Sequence, residues 1–194
     1  MNISFVGGGV MAEALIGGIL ASNLAKPEDV RIGEPVEARR SYLEKEHGLK
    51  AVAKNSQAIE GADMVVLAVK PQNLPEVLSE LNGDLPESSA VVSIVAGATI
   101  ATLTDGLDHR AVVRVMPNTP AQIGAGMSVW TATPEVPESV TAATKEILGT
   151  LGEELYVPDE KLIDMATALS ASGPAYVFLF IEALIDAGGY LGLP

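Results

Sequence analysis

The chain contains no cysteine, and this absence excludes disulfide bridges and thiolate metal sites. Its two histidines, His47 and His109, are far apart in the sequence, which argues against a histidine metal site. We expect both histidines to lie at the surface or in loops. The sequence therefore predicts a protein without a metal centre.

Positive charge is also scarce, with 12 Lys and Arg against 25 Asp and Glu and a net charge of −13. Nucleic acids and anionic membranes are bound by clustered Lys and Arg, so we expect neither as a partner. No uninterrupted apolar run reaches membrane-spanning length, and the N-terminus has no basic leader. These features predict a soluble, cytoplasmic protein.

Glycine is concentrated near the N-terminus, between a predicted strand over residues 2–6 and a predicted helix over residues 13–24. Such a strand-turn-helix unit holds the pyrophosphate of a dinucleotide, because glycines let the phosphate approach the helix N-terminus. A turn with a purely structural role stays open as the alternative. The residues of this turn follow the pattern G-x-G-x-x-A and are Gly7, Gly8, Gly9, Val10, Met11 and Ala12.

Strands and helices alternate over about three quarters of the chain, which predicts an α/β fold with a doubly wound, parallel Rossmann-type sheet. Two further segments, 127–131 and 154–157, are predicted to extend this sheet around a helix over 140–151. Continuous apolar runs such as 64–69 are typical of parallel strands covered on both faces. The other predicted strands are 30–32, 51–52, 90–95 and 111–116, and the other predicted helices are 36–46 and 73–81.

The pattern changes after Pro158, where two helices are predicted over 161–169 and 175–187. Residues 177–181 are apolar on every side of the second helix, so it needs cover on every side. A partner subunit and the Rossmann domain itself are the two candidates for that cover. We expect an NAD(P)-binding domain over 1–158 and the start of a helical domain over 159–194.

Polar residues after two predicted strands are candidates for cofactor binding, since ligands lie beyond the carboxyl ends of parallel strands. Glu34 could accept hydrogen bonds from the adenosine ribose, which favours NADH. Arg39 and Arg40 could instead neutralise the 2′-phosphate of NADPH, or simply be solvated. Lys70, followed by the strand-ending Pro71, could contact the ribose or an anionic substrate. The choice between NADH and NADPH stays open.

Four segments, 7–14, 68–72, 116–128 and 170–176, together closely resemble the pyrroline-5-carboxylate reductase family, and the ending 186–194 agrees. The resemblance implies hydride transfer from NADPH or NADH to the C=N carbon of 1-pyrroline-5-carboxylate. The product is L-proline, in the last step of proline biosynthesis. It also implies a homodimer or higher oligomer formed through the C-terminal helices.

The resemblance further implies roles for individual residues. Residues 7–11 bind the pyrophosphate, Asn55 reaches the adenosine ribose, and Asn118 lies near the nicotinamide. Ser172 and Gly173 begin the first long helix of the dimerisation domain and are candidates for the substrate side. The residues that flank the cofactor are Ala68, Val69, Lys70, Pro71, Val95 and Ala96, and no catalytic side chain is assigned.

Members of this family usually continue beyond Pro194 with helices that carry a Gln-Thr pair for the substrate carboxylate and a candidate proton donor. We therefore expect an incomplete helical domain and poor turnover from residues 1–194 alone. Three alternatives stay open: a β-hydroxyacid dehydrogenase, a short Rossmann enzyme passing hydride between NADP and a deazaflavin, and a non-catalytic NAD(P)-binding module. The lack of a lysine in 171–188 argues against the first, and the Met-Pro-Asn-Thr-Pro segment argues against the second.

Overall fold

A computed structural model of the chain describes residues 1–193, and Pro194 lies outside the described residues. Its centre is an eight-stranded sheet in the order β3-β2-β1-β4-β5-β6-β7-β8. The strands are β1 Ile3–Val6, β2 Val30–Gly33, β3 Lys50–Val52, β4 Met64–Leu67, β5 Ala90–Ser93, β6 Val112–Met116, β7 Gly126–Ala132 and β8 Gly152–Tyr156.

Eight α-helices connect and follow these strands: α1 Val10–Ala21, α2 Glu37–His47, α3 Asn55–Ala58, α4 Leu74–Leu81, α5 Ile100–Leu107, α6 Glu138–Gly149, α7 Lys161–Ala166 and α8 Gly173–Tyr190. Short 3₁₀ turns cover Pro27–Asp29, Pro71–Asn73 and Thr119–Ile123. A π-helical turn, Thr167–Ala171, joins α7 to α8.

The sheet is covered by helices on both faces, as predicted for a doubly wound fold. One face packs against α1 and α6, with Ile16 and Leu148 in its core. The other face packs against α4 and α5, with Leu81 and Leu103 in its core. The four residues of β4 are all buried, which explains its unbroken apolar sequence.

The predicted extension of the sheet by β7 and β8 is confirmed, but the sheet is not parallel throughout. β7 runs antiparallel to β6, and β8 runs parallel to β7. The connection from β6 to β7 contains only a 3₁₀ turn, whereas a parallel pair needs a longer crossover, usually with a helix. Helix α6 supplies such a crossover between β7 and β8.

Two helices, α3 and α5, are absent from the sequence-based prediction. Helix α3 has a single turn, too short for a hydrophobic period to be visible. Helix α5 contains Thr102, Thr104 and Gly106, all poor helix formers. It is stabilised locally, because the side chain of Thr99 accepts a hydrogen bond from the Thr102 N–H and caps the helix.

The expectation for the two histidines is confirmed for His109, which lies in the loop between α5 and β6, whereas His47 lies in a helix and is partly buried. His47 ends α2, and its Nε2 lies 3.5 Å from Oε1 of Glu13. Nε2 of His109 lies 2.9 Å from the backbone oxygen of Ser89. Each is partly buried beside a local partner.

The C-terminal helices form one continuous helical segment, Lys161–Tyr190. No residue of α8 is buried by the described part of the chain, and Phe178 and Ile185 are 67% and 68% exposed. The Rossmann domain therefore does not cover this helix, so that alternative is wrong. By length and composition alone the segment could cross a membrane, with a mean hydropathy of 1.6 over its most apolar window. The segment is not an uninterrupted apolar run, because it contains Lys161, Asp164, Glu182 and Asp186, so the sequence-based expectation is not contradicted.

Candidate cofactor site

The glycine turn after β1 is held tightly against the neighbouring strands. The Gly7 N–H donates to the Gly33 oxygen at 2.8 Å. Gly7 has φ +94°, and a Cβ there would lie 2.8 Å from the backbone oxygen of Ala68. Glycine is required at this position by backbone conformation and by the closeness of β4.

Gly9 differs from Gly7, because it faces open space. It is the N-cap residue of α1 and provides no side-chain cap, so the first N–H groups of the helix lack a side-chain acceptor. A Cβ at Gly9 would meet no described atom within 4 Å. Uncapped N–H groups at a helix N-terminus attract anions, and the space in front of Gly9 admits one. The local geometry therefore fits a dinucleotide pyrophosphate.

Arg39 supports the turn through hydrogen bonds to its backbone and to a neighbouring carboxylate. Its Nε donates to the Gly8 oxygen at 2.6 Å, and its Nη2 donates to Oε2 of Glu13 at 2.5 Å. Tyr42 donates its hydroxyl to the other oxygen of Glu13 at 2.9 Å. Burial alone would raise the pKa of Glu13, but the hydrogen bonds from Arg39 and Tyr42, with the charge of Arg39 and the contact with His47, hold that pKa below its ordinary value.

Glu34 supports the same turn through hydrogen bonds from backbone N–H groups. Its Oε2 accepts a hydrogen bond from the Gly8 N–H at 3.0 Å, and its Oε1 accepts one from the Val36 N–H at 2.9 Å. Nη1 of Arg40 donates to the backbone oxygens of Glu34 and Pro35, both at 2.8 Å. The carboxylate is thus fixed at the carboxyl end of β2, where the adenosine ribose is expected.

These residues line a cleft of about 480 Å³ along the carboxyl ends of β1 to β4. The structure therefore brings together most of the residues expected around the adenosine half of a cofactor. Those of the predicted residues that line the cleft are Gly7, Gly8, Gly9, Glu34, Asn55, Ala68, Val69 and Lys70.

The remaining predicted residues lie elsewhere. Val10 lines a separate cleft of about 530 Å³ beside α1. The side chain of Val95 is only 3% exposed in the core, so only its backbone could face a cofactor. Met11, Pro71, Ala96 and Asn118 are outside the lining of the adenosine cleft, as are Ser172 and Gly173.

Four polar residues of the cleft are absent from the sequence-based prediction: Lys54, Asn73, Glu76 and Glu80. Lys54 follows β3, so the rule that ligands lie beyond the carboxyl ends of strands could have found it. Glu76 and Glu80 are on α4, and only the fold brings them to the cleft. Oε2 of Glu80 accepts a hydrogen bond from Nδ2 of Asn55 at 2.7 Å.

Asn118 connects the loop after β6 to the C-terminal helices. Its Oδ1 accepts a hydrogen bond from the Met127 N–H at 2.9 Å, and its Nδ2 donates to the Ser170 oxygen at 3.2 Å. Ser170 belongs to the π-helical turn, and Ser172 donates its hydroxyl to the Thr167 oxygen at 2.9 Å. Asn118 therefore fixes the segment that precedes α8 relative to the end of β6.

A buried ion cluster, also absent from the sequence-based prediction, joins the same parts of the chain. Arg114 on β6 is 4% exposed and contacts Glu160 and Asp164, each at 2.7 Å. The same Glu160 oxygen accepts the Ile100 N–H at 2.7 Å. The first turn of α7 is thereby attached to β6 and to the start of α5.

Family models match both parts of the chain. Residues 2–97 match the family described as NADP oxidoreductase, coenzyme F420-dependent. Residues 160–194 match the pyrroline-5-carboxylate reductase dimerisation family.

Among curated proteins, the chain is 41% identical to a pyrroline-5-carboxylate reductase of Synechocystis sp. and 37% identical to one of Escherichia coli. Each alignment covers all of this chain and 72% of the relative.

Among solved structures, it is similar to a pyrroline-5-carboxylate reductase from Coxiella burnetii, with a TM-score of 0.89 and 33% identity, covering 100% of this chain and 72% of that one. It is also similar to the Plasmodium falciparum enzyme with NADP bound, with a TM-score of 0.85 and 33% identity, covering 100% of this chain and 71% of that one. The level of identity, held over the full chain in both comparisons, places this chain in the pyrroline-5-carboxylate reductase family.

Proposed function

We propose that this protein reduces 1-pyrroline-5-carboxylate to L-proline, the last step of proline biosynthesis, with NAD(P)H as the cofactor. The observation that carries this function is the whole-chain relationship to pyrroline-5-carboxylate reductases, combined with an uncapped helix N-terminus behind a glycine turn. When bound, NAD(P)H supplies the hydride that adds to the C=N carbon of the protonated imine.

In this scheme, the residues of the chain bind and orient the cofactor. The N-terminal N–H groups of α1 hold the pyrophosphate, and Gly9 leaves room for it. Asn55 lies at the adenosine end of the cleft, and Ala68 to Lys70 border it at the end of β4. Arg39 and Glu34 stabilise the glycine turn, because Arg39 donates a hydrogen bond to the Gly8 oxygen and Glu34 accepts one from the Gly8 N–H.

The nicotinamide end is proposed to lie between the loop that carries Asn118 and the start of α8. Support for this comes from the hydrogen bond of Asn118 to the π-helical turn just before Ser172 and Gly173. A protonated imine is already a good electrophile, so holding it close to the hydride donor and away from water can supply much of the rate enhancement. No side chain is assigned as a proton donor.

We further propose that the enzyme is a homodimer, or a higher homo-oligomer, formed through α8. The helix matches a dimerisation family and has apolar side chains exposed on all sides. We divide the chain into an NAD(P)-binding domain over 1–158 and a helical domain from residue 159. The dependence of the reaction on NAD(P)H supports a cytoplasmic location, which fractionation of cells into soluble and membrane fractions would test.

The proposed function is tested by mixing the purified protein with NAD(P)H and 1-pyrroline-5-carboxylate and measuring both cofactor oxidation and proline. Equal amounts of oxidised cofactor and proline are expected. If the full-length protein binds the cofactor but forms no proline, the result would contradict the function and favour a binding module.

A further inference from the structure

We propose that Glu34 makes this enzyme select NADH over NADPH, an inference that rests on the proposed cofactor site. The two cofactors differ only by the 2′-phosphate on the adenosine ribose. Glu34 stands at the carboxyl end of β2, where the Rossmann arrangement places that ribose. Its carboxylate can accept hydrogen bonds from two ribose hydroxyls, but it repels a phosphate.

The position of the Glu34 carboxylate is fixed by the backbone. Each of its oxygens accepts one N–H, from Gly8 at 3.0 Å and from Val36 at 2.9 Å. Gly8 itself is buried. Turning the side chain away from a phosphate would leave the buried Gly8 N–H without its acceptor, which carries a free-energy cost. The 2′-phosphate of NADPH would therefore either lie beside the negative charge of Glu34 or require these two hydrogen bonds to break.

The two nearby arginines are already engaged in structural contacts. Arg39 donates to the Gly8 oxygen and to Glu13, and its Nη2 lies 3.5 Å from the Gly9 oxygen. Arg40 donates to the backbone oxygens of Glu34 and Pro35. Both guanidinium groups keep N–H donors that these bonds do not use, but neither arginine lines the cleft, so reaching a phosphate there would require moving the side chain from the position that these bonds hold.

The charge of the cleft points in the same direction. Its lining contains three carboxylates, Glu34, Glu76 and Glu80, against two ammonium groups, Lys54 and Lys70. A phosphate monoester carries about −1.5 to −2 charges at neutral pH. A phosphate at the 2′ position is less favourable in this cleft than a neutral 2′-hydroxyl, and Lys54 is the cation that would have to compensate at the end of β3.

The test compares the dissociation constants of NADH and NADPH for the full protein and for Glu34→Gln, which keeps the shape of the side chain but removes the charge. We expect the wild type to bind NADH at least tenfold more tightly. The variant should shift the NADPH-to-NADH ratio by at least tenfold toward NADPH, or ~1.4 kcal/mol. Glu37→Gln removes the same charge from an exposed position at the start of α2 and should leave the ratio unchanged.

Glu34→Ser is the second variant, in case Glu34→Gln destabilises the turn. A melting curve checks that each variant folds. An equal loss of affinity for both cofactors would mean that Glu34 only supports the turn, and would overturn the inference. Tighter binding of NADPH than NADH by the wild type would also overturn it. Binding of neither cofactor by the wild type would instead contradict the proposed function.

Discussion

At the residue scale, two glycines of one turn are required for different reasons. Gly7 is demanded by the fold, since its φ of +94° and the nearby Ala68 oxygen exclude a side chain. Gly9 is proposed to be required by the ligand, because a Cβ there would meet no atom within 4 Å beyond its own chain neighbours. A substitution at Gly7 should therefore impair folding, whereas a substitution at Gly9 should weaken cofactor binding in a folded protein.

We predict that Gly9→Val folds but binds NAD(P)H at least tenfold more weakly, a loss of ~1.4 kcal/mol or more. The valine would occupy the place of the pyrophosphate without meeting the protein. Cofactor titration checks the affinity, and a melting curve checks the fold. Gly17→Ala, in the same helix and also free of contacts at Cβ, serves as a control that should leave the affinity unchanged. Unaltered binding by folded Gly9→Val would show that the phosphate lies elsewhere.

The lowered pKa of Glu13 predicts a pH-dependent stability. A carboxyl group whose pKa is lower in the folded than in the unfolded protein stabilises the fold above its ordinary pKa. This contribution is lost as the pH falls through the lowered folded value. Urea unfolding of wild type and Glu13→Gln should therefore differ at neutral pH and converge in acid. Tyr42→Phe removes one of the hydrogen bonds to Glu13 and should weaken the pH dependence. A difference that stays constant with pH would contradict this account.

At the scale of elements, the junction between the sheet and the C-terminal helices depends on Arg114. This buried cation on β6 binds two carboxylates of the α7 region, and Glu160 also accepts the Ile100 N–H. The side chain of Asp164 is 65% exposed, whereas that of Glu160 is 30% exposed. The two ion pairs are therefore unequal, since solvent screens the pair with Asp164 more strongly.

We predict that Glu160→Gln lowers the free energy of unfolding by about 1–3 kcal/mol, because a charged partner of a buried arginine is lost. Asp164→Asn should cost ~1 kcal/mol or less, because that carboxylate is largely exposed. Denaturant unfolding of both variants under identical conditions measures the difference. Equal losses, or a larger loss for Asp164→Asn, would show that Glu160 is not the central contact of the junction.

At the scale of the whole molecule, the dominant feature is the uncovered helix α8. Phe178, Leu179 and Phe180 are each 66% or 67% exposed, and burying such a side chain is worth ~1.5–3 kcal/mol. Exposed apolar surface of this extent marks an interface. The match of residues 160–194 to a dimerisation family indicates a homo-oligomeric partner as the cover.

We predict that Phe178→Glu weakens self-association, because a charge would be buried in the proposed interface. Light scattering over a range of protein concentrations measures the effect, with a shift of at least tenfold in the dissociation constant expected, or ~1.4 kcal/mol. Ala142→Glu, at an exposed position of α6, introduces the same charge outside the interface and should not change the assembly. An unchanged oligomer for Phe178→Glu, or a monomeric wild type, would contradict the role of α8.

Local patterns in the sequence were sufficient for the parallel Rossmann core and the glycine turn. Apolar runs such as that of β4 identify buried strands, and the spacing of glycines identifies the turn, because both depend on residues adjacent in the chain. The antiparallel direction of β7 was not predictable in this way, because it follows from the short connection after β6. Helix α5 was hidden by its threonines, whose low propensity is offset by a cap and by packing on α4.

Contacts between residues distant in sequence were decided by the tertiary structure alone. Glu34 was identified as a ribose contact from its place after β2, but only the fold shows its carboxylate bound to the Gly8 N–H. The sequence presents Arg39 as a candidate for a phosphate, while the structure engages it with Glu13 and the Gly8 oxygen. An ion pair between distant residues depends on their proximity in space. A single sequence contains no periodic pattern or fixed spacing that would reveal such a pair. The sequence by itself thus determined the cofactor class and the core, and the tertiary structure decided which charged side chains line the cleft, because that depends on contacts between distant residues.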